Sequence, residues 1–175
     1  MAQGKIDLAK FRLTEIKKLL PEFQGITKNE IEFRYHFLST EVLLAESKTQ
    51  KAIININKNS SQSVTDAEFF RNLRYNLPFL KDQLARAYYK NGELDKAIVE
   101  YERLTNFDPK NKNRYLIHPR YYYRLGKLYE ENGAKSKATT RYGKFIALWK
   151  NADKGLPELI DAKSRYAKLK DVIEK

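Results

Sequence analysis

The chain has 175 residues, of which 42% are hydrophobic, and this is enough to build one core or one continuous stack. It has no cysteine and only two histidines, which excludes disulfide scaffolds, thiolate metal sites and cysteine nucleophiles. Lysine and arginine number 34 against 22 acidic residues, and the resulting net charge of +12 favours encounters with acidic partners.

Nothing in the sequence predicts contact with a membrane. No apolar run approaches the roughly 18 to 20 residues that cross a bilayer, and the polar start MAQGKIDLAK does not have the form of a signal peptide. The sequence therefore predicts a cytoplasmic protein that does not bind membranes.

The first predicted element is a helix over residues 4–21, with apolar residues at three- and four-residue spacing. It opens on a glycine, carries an alanine five residues later and ends on a proline. No helix precedes it to form a pair, so the side with Ile6, Ala9 and Leu13 is expected to lie uncovered, at roughly 25 cal/mol per Å² of wet apolar surface. We therefore expect either a fragment of a longer repeat protein or self-association through this helix.

The second predicted unit, residues 33–66, keeps the pattern only weakly. Ala52 holds its place, but Ser47 stands where a turn glycine is expected and Ser39 where a leucine is expected. The segment YHFLSTEVLLAES is still predicted to form the first helix of this unit.

The pattern is clearest in the second half of the chain, where two units share residues at the same offsets. The matching residues are Ala85, Tyr88, Gly92, Ala97 and Tyr101 in one unit and Gly126, Tyr129, Gly133, Ala138 and Tyr142 in the next. Small residues let paired helices approach closely, tyrosines fill the gaps beside them, and the glycines suit turns that need a positive φ. A last amphipathic helix is predicted over residues 155–175, with one face apolar and the other rich in lysine.

These units resemble the tetratricopeptide repeat (TPR) family, whose members stack helix–turn–helix pairs. The resemblance implies an all-α fold, a right-handed α-solenoid of such pairs closed by a C-terminal capping helix. The alanines Ala9, Ala52, Ala97 and Ala138 are 43, 45 and 41 residues apart, which is longer than the 34-residue unit of the family. Such stretched units are similar to the arrays attached to bacterial signalling proteins.

The predicted organisation is a single domain over residues 1–175. Its segments are a half repeat (1–23), a degenerate repeat (24–66), a connecting segment (67–77), a repeat (78–111), a loop (112–118), a second repeat (119–152) and the capping helix (155–175).

The sequence offers no convergent set of catalytic groups. The serines at 60, 61 and 63 lack a glycine elbow, and no glycine-rich loop for phosphate is present. His36 is interpreted as a packing or surface residue, and His118 as part of the helix boundary before Pro119. We therefore predict a protein that is not an enzyme and binds no cofactor or metal.

A functional signal lies in residues 109–129, where six basic side chains are interleaved with tyrosines and no acidic residue intervenes. In the TPR family the first helix of each unit lines a concave groove. Matching by offset places these residues there: Arg86, Tyr89, Arg120, Tyr123, Arg124 and Lys127, with Phe79 and Arg34 as further candidates. The resemblance thus implies a basic and aromatic groove.

The leading hypothesis is a scaffold that holds a protein or peptide segment, acidic in character, in this groove. Nucleic acid is an alternative partner, since the same residues could contact phosphates and stack on bases. A further alternative is an architectural or oligomerising segment of a larger signalling protein. The basic stretch could also be a solvated face that only aids solubility.

Overall fold

A computed structural model describes residues 3–59, 81–106, 117–153 and 155–173. These residues form eight α-helices and one short 3-10 helix at Leu20–Glu22, and they contain no strand, which confirms the predicted all-α class. The α-helices are α1 (Gln3–Leu19), α2 (Gly25–Ala45), α3 (Thr49–Asn59), α4 (Gln83–Lys90), α5 (Leu94–Thr105), α6 (Pro119–Glu131), α7 (Lys135–Leu148) and α8 (Pro157–Ile173). No helix among them combines the length and the apolar composition that a membrane-spanning segment needs.

The helices fall into two compact units, residues 1–93 and residues 94–175. In the first unit α1 packs on α2, α2 on α3, and α3 on α4. In the second unit α5 packs on α6, α6 on α7, and α7 on α8. Each unit thus builds its core between helices that follow one another in the sequence, as a helical repeat does. The predicted connecting segment, residues 67–77, lies outside the described residues.

The first helix is covered on the side that the sequence predicted to be wet. Ile6 and Leu13 are buried in one cluster with Val42 of α2, and Ala9 packs against that cluster. The prediction of an uncovered Ile6–Ala9–Leu13 side is therefore wrong. The physical reason is that the helix following α1 in the sequence covers this side, through Val42, Tyr35 and Ala45 of the YHFLSTEVLLAES segment, so no preceding helix is needed.

Three turns between consecutive helices use the same left-handed geometry. Ser47 (φ 58°), Gly92 (φ 79°) and Gly133 (φ 76°) each lie after a helix, and in each turn the next amide N–H donates to a carbonyl five residues earlier, at 2.8 to 2.9 Å. This is the bonding of a Schellman cap, which glycine adopts without a steric penalty. Ser47 therefore takes the place of the missing turn glycine, and the weak unit is a true helix–turn–helix pair.

Small residues lie where the helices meet, as the sequence predicted. Ala52 is buried with Leu44, Ile53 and Ala87 in the first unit, and Ala138 is fully buried in the second. The closest approach involves Gly126 of α6. A Cβ atom added there would lie 2.8 Å from the ring carbons Cδ1 and Cε1 of Tyr142, whose side chain is fully buried.

Gly126→Ala should therefore destabilise the protein by about 1–2 kcal/mol, because the buried Tyr142 ring must shift and this overpacking outweighs the gain in helix propensity. The matched control is Gly4→Ala, since Gly4 is also helical and no atom lies within 4 Å of its added Cβ. The free energy of unfolding from urea titrations would compare the two variants. Equal stability of the two variants would contradict the tight packing at Gly126.

Candidate functional site

The predicted groove residue Arg86 of α4 is engaged by carboxylates within the first unit. Its Nη1 and Nη2 atoms donate to the two oxygens of Glu41 on α2, at 3.0 and 2.5 Å. Its Nε atom donates to Asp82 at 2.9 Å, and the Asp82 side chain is fully buried. Arg86 therefore joins two helices and compensates a buried negative charge, which fixes its guanidinium in place.

The other predicted residues of the first unit are more accessible. Tyr89 of α4 is 45% exposed. Arg34 of α2 is exposed and forms an ion pair with Glu30 one turn earlier, at 2.8 Å. Phe79 lies outside the described residues.

In the second unit, Arg120 lies in the first turn of α6 and reaches the C-terminal helix. Its Nη2 atom lies 3.2 Å from Oε1 of Glu158 on α8, and its guanidinium lies 5.8 Å from the ring centroid of Trp149. The helix start is fixed by His118, whose Nδ1 accepts a hydrogen bond from the Arg120 backbone amide, and by Pro119 in the first helical position. The predicted role of His118 at a helix boundary is therefore confirmed.

Tyr123, one turn further along α6, belongs to a hydrogen-bonded network between α6, α7 and α8. Its hydroxyl donates to Asp161 of α8 at 2.7 Å, and the same carboxylate accepts from Nε of Arg165 at 2.7 Å. Arg165 also donates to Glu130 at 2.9 Å, and Glu130 accepts from the hydroxyl of Tyr142 at 2.8 Å. Two carboxylates are thus each shared between a tyrosine and one arginine.

Burial and hydrogen bonding shift the pKa values of groups in this network. Burial, reinforced by the hydrogen bond to Asp161, raises the pKa of Tyr123 well above its usual value. Burial also disfavours the charged form of Asp161, yet the hydrogen bonds from Tyr123 and Arg165 lower the pKa of its carboxyl group below the usual range. Tyr123 and Tyr142 therefore remain donors, and the Asp161 carboxylate remains an acceptor, at neutral pH.

Lys127 and Arg124 complete the predicted set on α6. Lys127 is exposed, and its Nζ atom lies 5.8 Å from the centroid of the Tyr123 ring, which is within cation–π range. Arg124 is half-buried on the same helix. The structure therefore brings four predicted residues together on one helix, and of these Lys127 is the most accessible.

Sequence reasoning missed the acidic partners of this surface. Glu158, Asp161 and Arg165 follow one another at three- and four-residue spacing on α8, and such spacing places them on one helix face. That spacing is a usable signal, but the sequence pattern predicts this segment only as an amphipathic capping helix with one apolar and one lysine-rich face. Glu41, the partner of Arg86, has no comparable signal because it lies 45 residues away.

No cluster of three metal-ligating side chains occurs in the part of the chain that the structure describes. His36 is half-buried on α2, and burial lowers its pKa. The candidate site is therefore a surface of fixed charges and tyrosines, which can bind a polar ligand by charge and shape.

Paired helices, left-handed turns and small residues at the helix contacts together define a helical-repeat protein. Residues 85–133, from α4 to the turn after α6, match the family described as TPR repeat. For these residues the match confirms the resemblance to the tetratricopeptide repeat that the sequence pattern predicted. A search of curated proteins finds no match to the chain. Repeats of this family form protein–protein interaction modules and are generally not enzymes.

Arg86→Ala should lower the free energy of unfolding by about 3 kcal/mol, because it leaves the buried Asp82 carboxylate without its arginine. Arg34→Ala removes the same side-chain type from an ion pair within one helix, in which the arginine is exposed, and should cost only about 0.3–0.5 kcal/mol. Chemical denaturation followed by circular dichroism would measure both changes. Similar small losses for the two variants would show that Arg86 has no structural role.

Proposed function

We propose that this protein is a non-enzymatic scaffold that binds an acidic segment of a partner protein on the α6 surface. The observation that carries the proposal is the exposed Lys127 beside the Tyr123 ring, within the stretch that matches the TPR repeat. The lysine offers a positive charge to a carboxylate, and the contact with the Tyr123 ring restricts where its ammonium group points.

Existing ion pairs and hydrogen bonds give the side chains of this surface different roles. Arg120 and Tyr123 are held by Glu158 and Asp161, so a ligand carboxylate would have to displace an internal one to reach them. These two side chains therefore act as positioning residues that keep the surface rigid. Lys127, which is exposed, supplies the charge that an incoming acidic group meets first. In the first unit, Tyr89 is a separate exposed contact.

The positions of the tyrosines favour a peptide over nucleic acid. Tyr121, Tyr122 and Tyr129 of α6 are 1%, 2% and 3% exposed, and Tyr123 is half-buried and hydrogen-bonded. Single-stranded nucleic acid is bound largely by stacking its bases on accessible aromatic rings. The described part of α6 offers little such area, so its cations are better suited to a peptide.

Lys127→Glu should weaken binding of labelled acidic peptides by about tenfold, because an attractive charge becomes a repulsive one. The matched control is Lys163→Glu, the same substitution at an exposed position of α8. Fluorescence anisotropy with an acidic peptide library and its amide counterparts would report the change. Equal losses of affinity in both variants would show that the effect depends only on net charge. Tight binding of a single-stranded oligonucleotide at physiological salt would favour nucleic acid as the ligand instead.

Self-association is proposed through a different surface, the exposed face of α1. Leu8 and Phe11 are each 56% exposed and Leu19 is 48% exposed, and all three lie away from the side that α2 covers. Large apolar side chains grouped in this way commonly mark an interaction surface. A second copy of the chain could cover them by packing α1 against α1.

The double substitution Leu8→Glu with Phe11→Glu should shift the protein from dimer to monomer at tens of micromolar, because charges would replace the apolar contact. Ile54→Glu, at a 58% exposed residue of α3, serves as the control. Sedimentation velocity would measure the state of each protein. A wild-type chain that is already monomeric at this concentration would contradict the proposal.

A further inference from the structure

Three basic side chains form a row along α7, the second helix of the TPR pair. Lys137, Arg141 and Lys144 are separated by four and then three residues, so they share one face of the helix and span about 10 Å along its axis. Lys137 and Lys144 are exposed, and Arg141 is half-buried. We call these three residues the α7 row.

Tyrosines of α6 hold the α7 row in place. The Nζ atom of Lys137 lies 5.3 Å from the ring centroid of Tyr129, and that of Lys144 lies 4.7 Å from the ring centroid of Tyr122. The hydroxyl of Tyr129 donates to Glu102 of α5, and the nearby positive charge of Arg141 partly offsets the rise in the pKa of Tyr129 that burial causes. Cation–π contacts restrict where a lysine ammonium can point, so the row presents its charges at defined positions.

No carboxylate in the described ranges forms an ion pair with any member of the α7 row. In contrast, Arg120 and Arg165 of the same unit are both paired with carboxylates. Uncompensated positive charge is therefore present on α7 as well as at Lys127 of α6.

A cleft of about 410 Å³ adjoins the α7 row. It is lined by Val99, Glu102, Arg103, Thr105, Asn106 and Arg141. Its two other charged groups are already occupied, because Glu102 accepts from Tyr129 and Arg103 is paired with Glu100 at 2.9 Å. Val99 is 60% exposed at this cleft, so the cleft offers an apolar contact beside the cations.

We propose that the α7 row and this cleft form a second interaction surface, which binds an acidic helical segment of a partner protein. Carboxylates spaced by four and three residues on a helix would meet Lys137, Arg141 and Lys144 in register, and an apolar side chain of the same segment would contact Val99 in the cleft. Nucleic acid fits this surface less well. Its bases would need accessible rings, but Tyr122 and Tyr129 are buried beneath the row.

The test uses the full chain and a labelled, stapled helical peptide with glutamates at i, i+4 and i+7 and one leucine beside them. A glutamine version of the peptide and a version with the glutamates spread around the helix serve as ligand controls. Lys137→Gln with Lys144→Gln should reduce affinity for the in-register peptide about tenfold. Lys163→Gln with Lys168→Gln removes the same charge from α8 and should change affinity less than about twofold, within the small effect of exposed distant charges.

Lys127→Glu separates this surface from the proposed α6 surface, because it should leave binding of the helical peptide unchanged. Circular dichroism would verify that both double variants retain the wild-type helical signal. The proposal is overturned if the two double variants lose affinity equally, or if both control peptides bind as well as the in-register one. It is also overturned if a labelled single-stranded oligonucleotide binds more tightly, with a log–log salt slope near −0.7 per phosphate neutralised.

Discussion

The close approach of paired helices is the constraint on which the other features depend. At Gly126 there is no room for even a methyl group beside the Tyr142 ring, and Ala97 and Ala138 are fully buried. Helices at this separation need a turn that reverses the chain within a few residues, which the left-handed residue Gly133 provides between α6 and α7. The pairing in turn orients α6 so that its tyrosines are buried under α7 and its charged residues are left for α8 and solvent.

Charge pairing between helices determines what the resulting surfaces can do. The net charge of +12 reads as a general attraction for acidic ligands, but Arg86 and Arg120 are neutralised by Glu41, Asp82 and Glu158. A charge that already has a carboxylate partner contributes to rigidity more than to binding, because a ligand must replace that partner. Binding capacity therefore follows the distribution of unpaired charge.

The repeat itself could be predicted from sequence because its signals are local. The glycines, alanines and tyrosines recur at fixed offsets, and they mark turns, helix contacts and core in both copies. Ser47 was the exception, since serine gives no warning of a left-handed turn. The residues that form the α6 surface could also be predicted, because they lie at helical spacing on one element: Arg120, Tyr123, Arg124 and Lys127.

The partners of those residues could not be predicted in the same way. Glu41 meets Arg86 and Glu158 meets Arg120 only after the helices have packed, across 45 and 38 residues of chain. The coverage of Ile6 by Val42 likewise arises only when α2 packs against α1. Packing between distant segments decided each of these outcomes.

Arginine and lysine have different places in the second unit, and their chemistry explains the division. Arg120 and Arg165 join helices, where a planar fork can hold a carboxylate in a fixed geometry. Lys127, Lys137 and Lys144 instead rest beside tyrosine rings at the surface, where an ammonium keeps its hydration and stays open to a ligand. Salt screens exposed charges more than half-buried pairs, so raised ionic strength acts on the lysines before it acts on the arginine links between helices. Raised ionic strength can therefore screen the surface lysines while the arginine contacts between helices stay intact.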